Sequence, residues 1–348
     1  MTTYISLYLL TIVGSFLSIL RGAPVKLLAP IVFALIVLFV GLRYDSVDYF
    51  NYWAIFDQTR SLGLSEGHEP GFLAFILGIQ AVGGGFFVFV FLFALASLLV
   101  KFYGYAKLSP YIVLSLLIYV STPAIWKEMG QIRGAMAASI LFVSIIYAYE
   151  RNPIKFGIAL LAATLFHLSA IVGAVIYFVR FGAKQIYMLP ALVVSTFIAA
   201  SGGIGGYIAH LALLLGIVDP SSRLLTYVGS DYDTNLNIYG LSSLLRIVVS
   251  LSMIYFYDEL TRVWSYNKTL VPTFIYGTCL FYLFSDYGIL GSRIDSLFCM
   301  VPITAILPSF MLLFNGTKRM IPYLAAVAYT IVFLLYQLST VAPYQSII

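Results

Sequence analysis

Apolar residues occur in blocks of membrane-crossing length, separated by short polar gaps. The blocks predict helices at residues 4–20, 27–42, 71–100, 109–124, 131–149, 154–179, 186–201, 206–218, 240–257, 270–290, 296–314 and 321–341. A bilayer-spanning helix needs roughly 20 mostly apolar residues, which most of these blocks approach. Two places are interrupted by glycine. Gly83, Gly84 and Gly85 divide the run 71–100, which reads as one broken helix or two short ones. Gly202, Gly203, Gly205 and Gly206 divide 186–218, which reads as one kinked span or a hairpin. The expected fold is therefore all-α: a single transmembrane domain over residues 1–348 with about 10–12 spans.

Composition strengthens this picture. Hydrophobic residues make up 61% of the 348 and charged residues 9%, against about 25% charged in a soluble domain. The net charge of +5 is no nucleic-acid footprint, because the Lys and Arg residues sit in the gaps between apolar runs, as topology signals do. Cys279 and Cys299 lie inside apolar runs and read as core residues rather than a disulfide. The N-terminus lacks the basic flank of a signal peptide, so the first apolar run is expected to persist as a helix.

The positive-inside rule orients the chain. Arg21 with Lys26, Lys101 with Lys107, Arg151 with Lys155, Arg262 with Lys268, and Lys318 with Arg319 mark cytoplasmic loops. Segments 43–70, 125–130, 219–239 and 291–295 then face outward, although Arg180 and Lys184 fall on the outer side in this scheme.

The outward segments hold most of the candidate chemistry. Segment 43–70 carries Arg43, Tyr44, Asp45, Asp48, Tyr49, Tyr52, Trp53, Asp57, Arg60, Glu66, His68 and Glu69; segment 219–239 carries Arg223, Tyr227, Asp231, Tyr232 and Asp233. Carboxylates, guanidinium groups and aromatics together suit carbohydrate: rings cover sugar C–H faces and polar groups take hydroxyls. An ordinary wet loop with interfacial Tyr and Trp anchors has the same composition. Within the spans His167 stands out, thirteen residues after Ile154 and so roughly 20 Å along its helix. It is either a packing histidine near Ser169 or a base lining an outward cavity.

Lys127, Glu128, Gln131 and Arg133 open a helix rich in small residues. Arg133 is either a phosphate ligand, suited by its planar fork, or a snorkelling anchor. Arg293 and Asp295 read as an intrahelical ion pair at a span boundary, with Arg293 on the outer side beside the other cations. There is no phosphate-binding glycine loop, nucleophile elbow or zinc-protease motif. Asp45 and Asp48, three residues apart, are a weak metal signal, and no metal site is assigned.

Four stretches, in order, resemble the EpsG/Wzy-type bacterial polysaccharide polymerases. They are Arg43-Tyr44 with Asp48-Tyr49 and Tyr52; Glu69 to Phe72; Gln131 with Arg133; and Phe166-His167 with Ser169. The likeness covers residues 1–180, and beyond that only hydropathy matches. Two departures stand out. Ser46 and Val47 replace a glycine before the Asp-Tyr pair, and Gly134 replaces a glutamine after the arginine.

The resemblance implies a GT-C-like fold with outer-face loops, in the bacterial inner membrane, with the active site facing the periplasm or exterior. It implies a glycosyltransferase that polymerises oligosaccharide repeats carried on undecaprenyl diphosphate, without metal or cofactor. His167 or Asp48 would act as base and Arg133 would stabilise the diphosphate. Arg43, Tyr44, Asp45, Tyr52, Glu69, Lys127, Gln131, Arg223, Tyr227 and Arg293 would bind substrate. The partners are the lipid-linked glycans, membrane lipid and a chain-length regulator, with no nucleic acid. The alternatives are a flippase or transporter for lipid-linked sugars, to which broken helices would be suited, and a membrane O-acyltransferase.

Overall fold

The structure, a computed structural model, describes residues 2–20, 25–44, 46–62, 68–214, 235–340 and 344–346. The fold is all-α and polytopic. Among the described residues, five helices are long and apolar enough to cross a membrane: Thr2–Ile19, Phe86–Leu108, Ile132–Tyr149, Gly288–Leu313 and Gly316–Ser339. The number rises to seven if each of two sharply bent helix pairs is one span. Further apolar helices, such as Pro70–Ala81 and Pro153–Phe166, are shorter. The chain divides into two compact units, Met1–Tyr177 with Met300–Ile348, and Phe178–Cys299.

The first unit begins with α1 (Thr2–Ile19) and α2 (Val25–Gly41), followed by a two-residue strand β1 (Arg43–Tyr44). β1 pairs antiparallel with β2 (Gln345–Ser346), Arg43 opposite Ser346. Tyr344 closes this junction: its ring stacks on Phe39 at 4.5 Å and its hydroxyl donates to the Phe39 carbonyl at 2.8 Å.

The segment 43–70, expected as a loop, contains a helix, α3 (Tyr49–Leu62). Tyr49, Tyr52, Ile55, Phe56 and Thr59 are all buried, while Phe50 and Trp53 are exposed. That spacing of buried positions is helical, which explains why so polar a segment is ordered.

The run 71–100 is two helices, α4 (Pro70–Ala81) and α5 (Phe86–Leu108). They are separated at the glycine triplet, where Gly83 takes φ +78°, a conformation open to glycine at little cost. Because α5 continues to Leu108, Lys101 does not mark a loop. It is 2% exposed inside the helix and forms a salt bridge with Glu128, which is equally buried. The Tyr119 hydroxyl donates to the same carboxylate at 3.1 Å. Charges this deep persist only when paired.

Segment 125–130, also expected as a loop, belongs to α7 (Pro123–Gly130), which is bent 70° from α6 (Ile112–Ser121). Pro123 opens α7, a position where its missing N–H costs nothing. α8 (Ile132–Tyr149) packs on α5, with Ser97 and Ser139 hydroxyls 3.1 Å apart. It also packs on α9 (Pro153–Phe166). The predicted helix 154–179 ends at Phe166: His167 takes extended backbone, φ −156° and ψ 114°, and a 3-10 turn follows over Leu168–Ala174.

In the second unit, the glycine-rich stretch is a turn between two helices, Gln185–Ala200 and Gly205–Leu214. Asp286 accepts from the backbone N–H of Gly205 at 2.8 Å and of Gly206 at 2.9 Å, capping the second helix. Gly203, at φ +77°, leaves room for that carboxylate. The helix Leu241–Tyr255 gives way to Tyr257–Val263 at a bend of 69°.

The expected Arg293–Asp295 ion pair is not formed. Asp295 pairs instead with Arg246, whose guanidinium lies 4.3 Å over the Phe281 ring. One helix face explains this: Arg246 approaches from Leu241–Tyr255, whereas Arg293 and Asp295 are only two residues apart on Gly288–Phe298 and point to different sides. Cys279 and Cys299 are buried and free, as expected of core residues.

Candidate active site

Glu69, Arg133 and His167 come together in the first unit, from three elements distant in sequence. Glu69 is the N-cap residue of α4, with φ −67° and ψ 134°. Pro70 follows at the first helical position, and the Glu69 carbonyl accepts the Leu73 N–H at 3.1 Å. Gly71 then brings α4 against the end of α9: a Cβ there would lie 2.8 Å from the Leu165 carbonyl oxygen. This approach sets Glu69 beside His167, which caps the C-terminus of α9. Arg133 enters from the first turn of α8, two residues past the break between α7 and α8 at Gln131.

The Glu69 carboxylate divides its oxygens between two partners. Oε2 takes a salt bridge from Arg133 Nη1. Oε1 lies 3.2 Å from His167 Nδ1. The side chains of Glu69, Arg133 and His167 are 16%, 21% and 20% exposed, sheltered yet reachable. Burial pushes the Glu69 carboxyl up, but the His167 hydrogen bond and the Arg133 charge outweigh it and hold it at about 2. Glu69 is therefore an anion at neutral pH.

Aromatic rings support the guanidinium, with Tyr52 5.9 Å and Phe72 5.5 Å from the Arg133 carbon to the ring centre. Burial pushes the Tyr52 hydroxyl up to about 12, so it stays protonated. Gly134, the departure from the family-like pattern, faces the histidine: a Cβ there would lie 3.8 Å from His167 Cδ2. A glutamine at that position would point toward the imidazole, so glycine leaves this side of the ring open.

The other candidates are placed as follows. Lys127 Nζ donates to Gln131 Oε1 at 2.7 Å on the exposed end of α7, as their spacing predicts. Tyr44 is exposed and its ring lies 5.5 Å from Tyr49. Asp48 is half-buried, and its backbone carbonyl accepts the Tyr52 N–H at 3.0 Å where α3 begins. Arg43 is 2% exposed and donates from Nη1 to the Val40 carbonyl at 2.7 Å, so its side chain presents nothing to a ligand at the surface. Arg293 lies in the second unit, half-buried on Gly288–Phe298. Asp45, Arg223 and Tyr227 lie outside the described residues, as does most of segment 219–239.

Sequence reasoning missed three charged residues that the structure pairs: Lys101, Glu128 as its partner, and Arg246. Lys101 carried a usable signal, since the apolar run continues beyond it to Leu108. Among the described residues, no group of three or more His, Cys, Asp or Glu side chains could hold a metal ion.

Comparison with known proteins gives three findings. No solved structure matches the chain. It is similar to the amylovoran biosynthesis protein AmsC of Erwinia amylovora, 26% identical over 317 residues, which cover 84% of this chain and 83% of that protein. A family model described as the EpsG family matches residues 26–348, nearly the whole length, and the chain belongs to that family.

Proposed function

We propose that this protein is a polysaccharide polymerase: a membrane glycosyltransferase that extends a glycan carried on undecaprenyl diphosphate at the outer face of the inner membrane. Membership of the EpsG family and the similarity to a protein of amylovoran biosynthesis support a role in polysaccharide assembly. The observation that carries the reading is the convergence of Arg133 and His167 on one carboxylate in a half-buried site.

Each residue has a task in the transfer. His167 removes the proton from the acceptor hydroxyl. The acceptor oxygen bonds to the anomeric carbon of the growing chain. The bond from that carbon to the diphosphate oxygen breaks, and its electron pair leaves on the diphosphate. Arg133 meets the developing charge with the N–H groups that Glu69 does not occupy. Tyr44 and the exposed Trp53 offer faces for sugar rings, and Lys127 and Gln131 offer polar contacts at the rim. Guanidinium supplies the positive charge, so the reaction runs without a metal. Asp48 is the second candidate base. A chain-length regulator is the expected partner.

The test is reconstitution. Purified protein in nanodiscs receives the undecaprenyl-diphosphate-linked repeat that accumulates in source cells lacking this chain. A ladder of longer lipid-linked glycans is the expected product. Unchanged glycan, with movement of the lipid between leaflets of a proteoliposome, would instead identify a flippase.

A further inference from the structure

We infer that Glu69 is the positioning residue of this site: its carboxylate holds His167 as the Nδ1–H tautomer, leaving the Nε2 lone pair for the acceptor hydroxyl, and fixes Arg133 with part of its fork still free. The inference rests on the proposed transfer and deepens it. The sequence marks Glu69 only through the family-like stretch Glu69 to Phe72, which implies a substrate ligand; the positioning role comes from its partners in the fold.

Three observations carry it. First, Glu69 itself is rigidly held. Pro70 limits the backbone that follows, the Glu69 carbonyl is bonded to Leu73 N–H, and Gly71 is pressed against Leu165. Second, each carboxylate oxygen has its own partner, Oε1 toward His167 and Oε2 toward Arg133. A carboxylate engaged on both oxygens by protein N–H donors is poorly placed to grip a sugar hydroxyl. Third, an ionised carboxylate only accepts hydrogen bonds. The imidazole nitrogen facing it at 3.2 Å must then carry the proton. Which ring nitrogen of a histidine is free is set by the hydrogen bond of the other, so Nε2 is the basic atom.

The same contact serves the leaving group. Arg133 Nη1 is occupied by Glu69, the Tyr52 side chain is hydrogen-bonded to the same guanidinium, and the Phe72 ring lies 5.5 Å from it. These contacts hold the fork before substrate arrives, and the N–H groups they leave over are the ones that would meet the diphosphate. Preorganised donors stabilise developing charge without reorganising at the moment of reaction. As proton transfer makes His167 an imidazolium, Glu69 is already in place to stabilise it.

The experiment reads the tautomer directly. The chain has three histidines, so the ring signals of His167 in ¹⁵N-histidine-labelled protein are assigned by their loss in His167→Gln. Wild-type protein in alkaline buffer is expected to show a protonated Nδ1 and a bare Nε2. A protonated Nε2 with bare Nδ1 would overturn the inference. In Glu69→Gln the amide can donate as well as accept, and the two tautomers should become mixed.

Kinetics give the second reading, using the lipid-linked repeat from cells lacking this chain. Glu69→Gln should lower kcat by about 10²–10⁴-fold, the range seen when a general base or its orienting carboxylate is lost. KM for the lipid-linked donor should stay within about twofold, since Glu69 makes no substrate contact. A raised KM with kcat retained would make Glu69 a substrate ligand and overturn the inference. If Glu69→Gln does not accumulate, the wild-type spectrum decides alone. If polymerisation needs His167 and Glu69→Gln keeps full kcat, this inference falls and the proposed function stands. If the wild-type protein makes no ladder, the proposed function falls, whatever the tautomer.

Discussion

The backbone of Gly71 lies so close to the Leu165 carbonyl that a Cβ would come within 2.8 Å of its oxygen. This contact joins the start of α4 to the end of α9, and it determines whether Glu69 reaches His167. Backbone cannot yield as the tip of a flexible side chain can. Gly71→Ala should therefore cost about 1–3 kcal/mol of stability through overpacking. It should also reduce polymerisation more than the loss of folded protein explains, because it pushes Glu69 away. Thermal unfolding in detergent, measured beside the ladder assay, checks both effects. Unchanged stability and activity would show that the approach has slack.

The Lys101–Glu128 pair predicts a different kind of defect. Both side chains are 2% exposed. Removing one partner leaves a buried charge without compensation, at a cost of about 3–5 kcal/mol. Glu128→Gln should lower the yield of folded protein and its melting temperature, and Lys101→Met with Glu128→Gln should recover much of the loss. If the double variant is as unstable as the single, the carboxylate matters for more than its charge.

Arg133 should depend on shape as well as charge. Its guanidinium bonds Glu69 and Tyr52 and lies near the Phe72 ring, and the proposal gives its other N–H groups to the diphosphate. A single ammonium cannot offer the planar, two-pronged contact to a phosphate. Arg133→Lys should slow turnover by about 10²–10³-fold, the loss typical of one transition-state donor. Full turnover in that variant would reduce Arg133 to an interfacial anchor.

Chelation addresses the source of positive charge. With guanidinium meeting the diphosphate, ladder formation should continue in EDTA at an unchanged rate. Loss of product in EDTA, restored by a divalent ion, would move the chemistry to a metal and point to Asp45 and Asp48 as ligands.

The spans were legible because long apolar runs have few other uses. α1, α2, α8 and the helix Met320–Thr340 appear close to where hydropathy puts them. The misreadings have local physical causes. His167 lies among Phe166, Leu168 and further apolar residues, with no Gly or Pro within five positions to announce a break, so 154–179 reads as unbroken helix. α3 was obscured by its charges, although Tyr49, Tyr52, Ile55, Phe56 and Thr59 mark its buried stripe. Lys101 looked like the end of a span because a lysine there resembles a loop signal, and its compensation comes from Glu128, 27 residues away.

The candidate site was legible as a set of residues but not as an assembly. Arg133 and His167 stood out as ionisable groups in apolar surroundings. Glu69 was marked by its family-like stretch as a substrate ligand, but its pairing was not legible, because its partners are 64 and 98 residues distant. Arg43 stood out equally, yet it is buried against the Val40 carbonyl. An arginine's type says nothing about whether its fork faces solvent or backbone.

The central claim is that His167 takes the acceptor's proton, and the rate of ladder formation by His167→Gln tests it most directly. Glutamine preserves a donor and an acceptor but not a base. Turnover should fall by about 10²–10⁴-fold, while the amount of folded protein and the binding of the lipid-linked donor stay near wild type. Ladder formation at the wild-type rate by folded His167→Gln protein would contradict the account and make Asp48 the next base to test.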